Sequence, residues 1–178
     1  MKYVNPLLDL SGLPRFEEIE AHHVEPALDE VLATNREQIS ALESHADSAD
    51  WTSFARPLED LDERLQRVWS PVSHLNAVVD SDALRQAYEA CLAKVSAYET
   101  EMGQNQALFK GFQRLQETGE GVGTARRRVI SNALRDFRLS GVELDESSRE
   151  KFAVLAEELA LLENRFEQNV LDATDDWH

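Results

Sequence analysis

Residues 51–79, WTSFARPLEDLDERLQRVWSPVSHLNAVV, decide how this chain folds. Trp51, Phe54, Leu58, Leu61, Leu65, Val68, Val72, Leu75 and Val79 recur alternately three and four positions apart. With about 3.6 residues per helical turn, that spacing puts all nine on one stripe. Glu59, Asp60, Asp62, Glu63 and Arg64 fall on the opposite side and belong in water. Pro57 and Pro71 interrupt the pattern without shifting its phase. Each lacks an N–H and crowds the preceding turn, so a late start, a kink or a short break is expected. The stripe is a core seam that other helices must cover.

Composition agrees with that reading. The 178 residues, 42% of them hydrophobic, suffice for one substantial core. The β-branched and aromatic alternation of strands is absent. The expectation is an all-α, multi-helix, bundle-like domain of long amphipathic antiparallel helices. It spans residues 1–178, with an extended arm over 1–23 and helices over 24–178. A formal charge of −16 disfavours nucleic acid, whose phosphates need a basic face, and anionic membrane surfaces. It favours cationic partners. Cys91 is the sole cysteine, which rules out an intrachain disulfide; beside Leu92 and Val95 it reads as a small core residue. No apolar run approaches the roughly 20 residues that span a bilayer. MKYVNPLLDL is too short an apolar segment for a signal peptide, so a cytoplasmic location is expected.

Outward from the seam, the elements follow in order. Pro6, Gly12 and Pro14 punctuate the arm, which Leu7, Leu8, Leu10, Leu13, Phe16 and Ile19 can pin to the core. The first long helix is expected to start at Glu25 or Pro26, since proline suits the first helical position. Leu28, Val31, Leu32, Asn35, Ile39 and Leu42 form its stripe, fading near His45. HADSAD connects, with Ser48 or Asp50 as the next cap. After the break at DSD, Ser81 can cap a helix carrying Leu84, Tyr88, Cys91, Leu92, Val95, Tyr98 and Met102. Gly103 interrupts it, and Leu108, Phe109, Phe112 and Leu115 mark either its continuation or a further helix. Gly119, Gly121 and Gly123 form a turn that follows a helix and lacks the Gly-Lys-Ser/Thr ending of a phosphate loop. Thr124 can cap the next helix and Gly141 stop it. That helix is basic, with Arg126, Arg127, Arg128, Arg135 and Arg138 against Asp136 alone. These arginines either pair with acidic neighbours such as the helix after Asp145, or form a contact surface for an acidic partner. Asp145, Ser147 or Ser148 opens the last helix, whose Phe152, Leu155, Leu159, Leu162, Phe166 and Val170 are expected to be buried. Trp177, stranded beside the terminus, suggests a chain cut from something larger.

Several blocks carry a resemblance: PLEDLDERLQRVWSPVSHLNAVVDS with LRQAYEACL, NPLLDLSGLPRFEEIEAHHVEPAL upstream, and RRRVISNALRDFRLSGVEL and LENRFEQNVLDAT downstream. In this order they resemble the amino-terminal region of the oligopeptidase-A branch of the thimet-oligopeptidase family of zinc metallopeptidases. The likeness covers nearly the whole chain. It implies a helical enzyme whose deep channel admits short peptides and excludes folded proteins, with a cytosolic location. This region would form channel wall, its partners being the catalytic lobe of its own full-length chain and short peptide substrates. Zinc is expected in the full-length enzyme.

The reactive machinery is not in these residues. A zinc peptidase of this kind needs His-Glu-x-x-His, two histidines one turn apart with a glutamate to activate metal-bound water. Of His22, His23, His45, His74 and His178, no pair stands four apart and none precedes a glutamate. Glu20 and His23 make one Glu-x-x-His, but the second copy that a di-iron bundle needs is missing, because Leu42 and Pro71 precede His45 and His74 at that spacing. His74 reads as a partly buried, hydrogen-bonded histidine, or, under the resemblance, a substrate contact in the intact enzyme. No nucleophile elbow is present. Catalytic, cofactor-binding and metal residues are therefore none, and the chain alone is expected to be inactive. A wall domain by itself should show an apolar patch near its carboxyl end or its basic helix. The alternative is a stand-alone acidic helical interaction module.

Overall fold

The computed structural model describes residues 5–79, 81–119, 123–175 and 177. Among the described residues there are six α-helices and no strand: α1 (Ala21–Glu43), α2 (Arg56–Val78), α3 (Asp82–Gly103), α4 (Gln106–Glu117), α5 (Thr124–Leu139) and α6 (Glu146–Asp175). The seam of α2 carries the packing. Phe54, Leu61, Leu65, Val68, Val72 and Leu75 are buried, Trp51 and Leu58 half-buried. Each fully buried side chain contributes about 1.5–3 kcal/mol. Val79, the ninth stripe residue, is exposed because the helix ends at Val78. α1 packs on α2 and α3, α4 lies against α1 and carries α5, and α6 runs along α3.

Neither proline breaks α2. Pro57 sits in its first turn, and Trp51–Ala55 before it is wound as a wide π-turn. Pro71 is buried inside the continuous helix. Of the two candidate caps, Asp50 is the one used, accepting from the Thr52 and Ser53 N–H groups at 2.8 and 2.9 Å. The first helix starts at Ala21, earlier than expected, with Pro26 inside it. His23 Nδ1 accepts the Glu20 N–H at 2.9 Å, the return half of a capping box, so a side-chain cap outweighs the proline preference. α3 and α4 are separate helices, because Asn105 caps the second by accepting from the Ala107 and Leu108 N–H groups, both at 3.0 Å. Gly111 of α4 packs directly on the buried Phe54 ring, leaving no room for a β-carbon.

Gly123, with φ of +119°, takes the N-cap place of α5, and Thr124 is already helical. Gly141 closes α5 with φ of +86°, its N–H reaching the Arg138 carbonyl and that of Val142 the Phe137 carbonyl, both at 3.1 Å. That double bond pattern needs the left-handed residue that glycine supplies. Asp145 opens α6 by accepting from Ser148 at 2.9 Å. Gly121 and His178 lie outside the described residues.

The arm is held by fewer anchors than expected. Leu7 is buried, Leu8, Leu10 and Ile19 pack partly, while Leu13 and Phe16 are exposed. Arg67 of α2 donates to the Gly12 carbonyl at 2.7 Å, and Asn5 to that of His23 at the same distance.

The largest departure is α6. Leu155, Leu159, Leu162, Phe166 and Val170, expected inside, are 64, 56, 54, 69 and 50% exposed, and only Phe152 of that row is half-buried. The helix turns Ala156, Ala160, Asn164 and Gln168 inward instead. Asn164 Oδ1 and Gln168 Nε2 are buried there without a hydrogen-bond partner among the described residues. Arg85 of α3 holds the far end through Asp172 at 2.6 Å.

Candidate functional site

Among the described residues, three of the histidines serve helix ends. His23 is buried in the α1 cap, and His22 Nδ1 lies 3.2 Å from Glu20 Oε2. The Glu-x-x-His of the sequence is thus a helix start. His45 Nδ1 is 2.9 Å from the Ala41 carbonyl at the end of α1. His74 differs from expectation: it is exposed and meets the Phe16 ring edge-on at 5.5 Å. Position 74 lies one step round the helix from seam Leu75, enough to carry it out of the core. Cys91 is fully buried, and loss of solvation pushes its thiol up to about 11, which suits an inert core residue. Among the described residues no three His, Cys, Asp or Glu side chains gather as metal ligands, so these residues do not fit a zinc ion.

A cleft of about 310 Å³ opens between α2, α3 and α5, with α4 beneath. Leu58, Leu65, Met102, Leu108, Phe112 and Phe137 supply its apolar lining, and Glu59, Asp62, Glu99 and Asp136 its acids. Partial burial raises the Glu59 carboxyl above its ordinary value, helped by the charges of Asp62 and Asp60. Burial raises Asp62, and burial with the Asp62 charge raises Glu99. All three keep contact with solvent, and none forms an ion pair with a described residue. Asp136 differs, being paired with Arg135 at 2.7 Å. A second hollow, lined by Trp69, Val95, Phe152, Leu159 and Glu163, shares Glu99 and Ser140 with the first. Sequence reading missed this cleft. Its signal is the placing of Glu59 and Asp62 beside seam Leu58 and Leu61, where a carboxylate borders the core instead of the open face.

The basic helix resolves in pieces. Arg126 lies over the Trp51 ring at 4.9 Å, and Arg138 over Phe109 at 5.4 Å while reaching Glu143 at 3.6 Å. Arg127 and Arg128 are exposed and form no ion pair with a described residue. Among the described residues none of the five pairs with α6, the neighbour offered as an example, while Arg135 pairs with Asp136 at 2.7 Å. The apolar surface expected near the carboxyl end is present, as the open row of α6.

Comparison with known proteins gives this arrangement its context. Residues 28–149 match the N-terminal domain of neurolysin and thimet oligopeptidase. The chain belongs to that family. Oligopeptidase A of Haemophilus influenzae is 38% identical over 179 residues, covering 99% of this chain and 26% of the relative. Oligopeptidase A of Salmonella typhimurium is also 38% identical, over 97% of this chain and 26% of its own length. The probable cytosolic oligopeptidase A of Arabidopsis thaliana is 32% identical over 96% of this chain and 24% of its own. The chain thus spans about a quarter of the curated relatives it matches. The match starts inside α1 and ends inside α6, so the family pattern takes in the α2 seam, the acid-rimmed cleft and the basic helix. No helix among the described residues is long and apolar enough to cross a membrane.

Proposed function

We propose that this chain is the helical wall domain of a zinc-dependent, cytoplasmic oligopeptidase of the oligopeptidase-A kind. The parent hydrolyses short peptides in a channel, and this domain confines them while a catalytic lobe elsewhere in the parent holds the metal. The carrying observation is the open row of α6 in a chain matching about a quarter of each relative. Five large apolar side chains on one helix form more than the scattered exposure of an ordinary surface. They are the docking face for the catalytic lobe. The reading makes the domain's contribution geometric: it narrows access and excludes folded proteins, and no bond-breaking step falls to its side chains.

The test is hydrolysis of internally quenched short peptides by the purified chain and by the parent. The parent is expected to cleave them and to lose activity to a chelator, with zinc restoring it. The chain alone is expected to leave them intact with or without added zinc. Chelator-sensitive turnover by the chain alone, or a parent indifferent to chelation, overturns the proposal.

A further inference from the structure

We propose that the cleft between α2, α3 and α5 binds short peptides through a basic residue flanked by apolar ones. This rests on the reading that the parent acts on short peptides, and it names the class of peptide this domain selects. The floor formed by Leu58, Leu65, Met102 and Phe137 suits uncharged side chains. Above it Glu59, Asp62 and Glu99 form no ion pair with a cation among the described residues. Burial, with repulsion from the Asp62 charge added to it, raises the affinity of Glu59 and Glu99 for protons. A lysine or arginine placed among them relieves that repulsion and lets its methylene stem lie on the apolar floor.

Size narrows the occupant further. The cleft holds about 310 Å³, at the small end of the roughly 300–1,000 Å³ of ligand pockets, which fits a few side chains and not a packed helix. The hollow that shares Glu99 and Ser140 with the cleft also has Glu163 and Leu159, of the open row of α6, in its lining. The proposed peptide thus lies beside the face assigned above to the catalytic lobe. Among the described residues these acids do not gather with others as a set of metal ligands, which favours an organic cation over a metal ion. The chain's formal charge of −16 draws such peptides from a distance.

The experiment titrates the chain with acetyl-Leu-Arg-Leu-Phe-amide and with the same peptide carrying glutamate for arginine. Binding is read by calorimetry and by backbone amide shifts. The basic peptide is expected to bind about fivefold to tenfold more tightly, the scale of two or three solvent-screened charge contacts, and to lose most of that preference in 0.5 M salt. Its shifts should centre on Met102 and Phe137. The Glu59→Gln/Asp62→Asn/Glu99→Gln variant should abolish the preference, while Glu157→Gln/Glu158→Gln on α6 should leave it intact. Equal binding of the two peptides, a preference that survives the triple substitution, or shifts centred elsewhere overturns the proposal. In the parent, the triple variant should raise KM for basic peptides about fivefold and leave kcat and neutral peptides unchanged. Unchanged KM for both peptides refutes peptide selection at this cleft while leaving the wall-domain reading in place.

Discussion

Replacing Leu162 and Phe166 by glutamine removes two apolar side chains from the open row of α6 without adding charge. Both residues are mostly outside the core, at 54 and 69% exposed. Complete burial of such side chains is worth about 1.5–3 kcal/mol each, so covering what is still exposed should yield about 1–2 kcal/mol apiece. In the isolated chain that surface faces water, and surface substitutions stay within about 0.5 kcal/mol each. The melting midpoint should then move by no more than about 2–4 °C for a chain of this size. In the parent the same pair should weaken docking of the catalytic lobe by about 2–4 kcal/mol. Native-state proteolysis follows the population of the undocked form, so its rate should rise about thirtyfold to a thousandfold. Two results refute the reasoning: an isolated chain that loses more than about 10 °C, because the row would then be holding this domain together, or a variant parent as resistant as the original.

Gly111→Ala should destabilise the chain although alanine is the better helix former, because its methyl group would overlap the Phe54 ring. Overpacking costs about 1–3 kcal/mol and the propensity gain returns about 1, leaving a net loss of up to about 2 kcal/mol. Thermal melts should show recovery when Phe54→Leu is added, and a rise in midpoint for Gly111→Ala alone would disprove the packing. Glu59, Asp62 and Glu99 are held above their ordinary values, so folding takes up protons there and their charged forms weaken the fold. That penalty is full above the raised values and gone below the ordinary 3.8 of aspartate and 4.5 of glutamate. The Glu59→Gln/Asp62→Asn/Glu99→Gln variant should accordingly melt higher than the original at neutral pH and lose the advantage near about pH 3; an advantage equal at both would mean that packing, not charge, is responsible. Cys91, with its thiol pushed up to about 11 and no exposure, should resist iodoacetamide at neutral pH until the chain unfolds; rapid labelling of the native chain by mass spectrometry would show that α3 opens locally.

The seam from Phe54 to Leu75 was legible because a helix buried on one side must repeat every three or four residues, and nothing else in the chain competes with that rule. Gly141 was legible for a similar reason, and Asp50 in part, as one of two candidate caps beside Ser48: each does a job that few residue types can do, feeding orphan N–H groups or adopting a left-handed turn. The start of α1 was not, because proline at position 26 suited a first turn while a histidine imidazole three residues earlier closed the real one. Glu59 and Asp62 looked like ordinary solvated acids and Glu99 drew no reading, since the pattern along one helix does not report the wall that a second helix raises opposite it. The cleft exists only once α5 is set beside α2 and α3.

The roll of α6 carries the most information. Periodicity marks the apolar face of a helix but not what covers it, so Leu155, Leu159, Leu162, Phe166 and Val170 were assigned to this chain's own core. The helix turns its alanines and Asn164 inward, and two buried polar atoms go without partners among the described residues. Such orphans cost about 1–3 kcal/mol each, or about 2–6 kcal/mol together. Five side chains left half to two-thirds open forgo about 5–10 kcal/mol more. Both penalties fall on the chain by itself, and a helix selected for this chain alone would roll the leucines inward and escape them. On the proposal that a catalytic lobe covers the open face, the apolar gain returns and outweighs the two orphans. The orientation of α6 would then be a compromise between two neighbours, α3 on one side and the proposed lobe on the other.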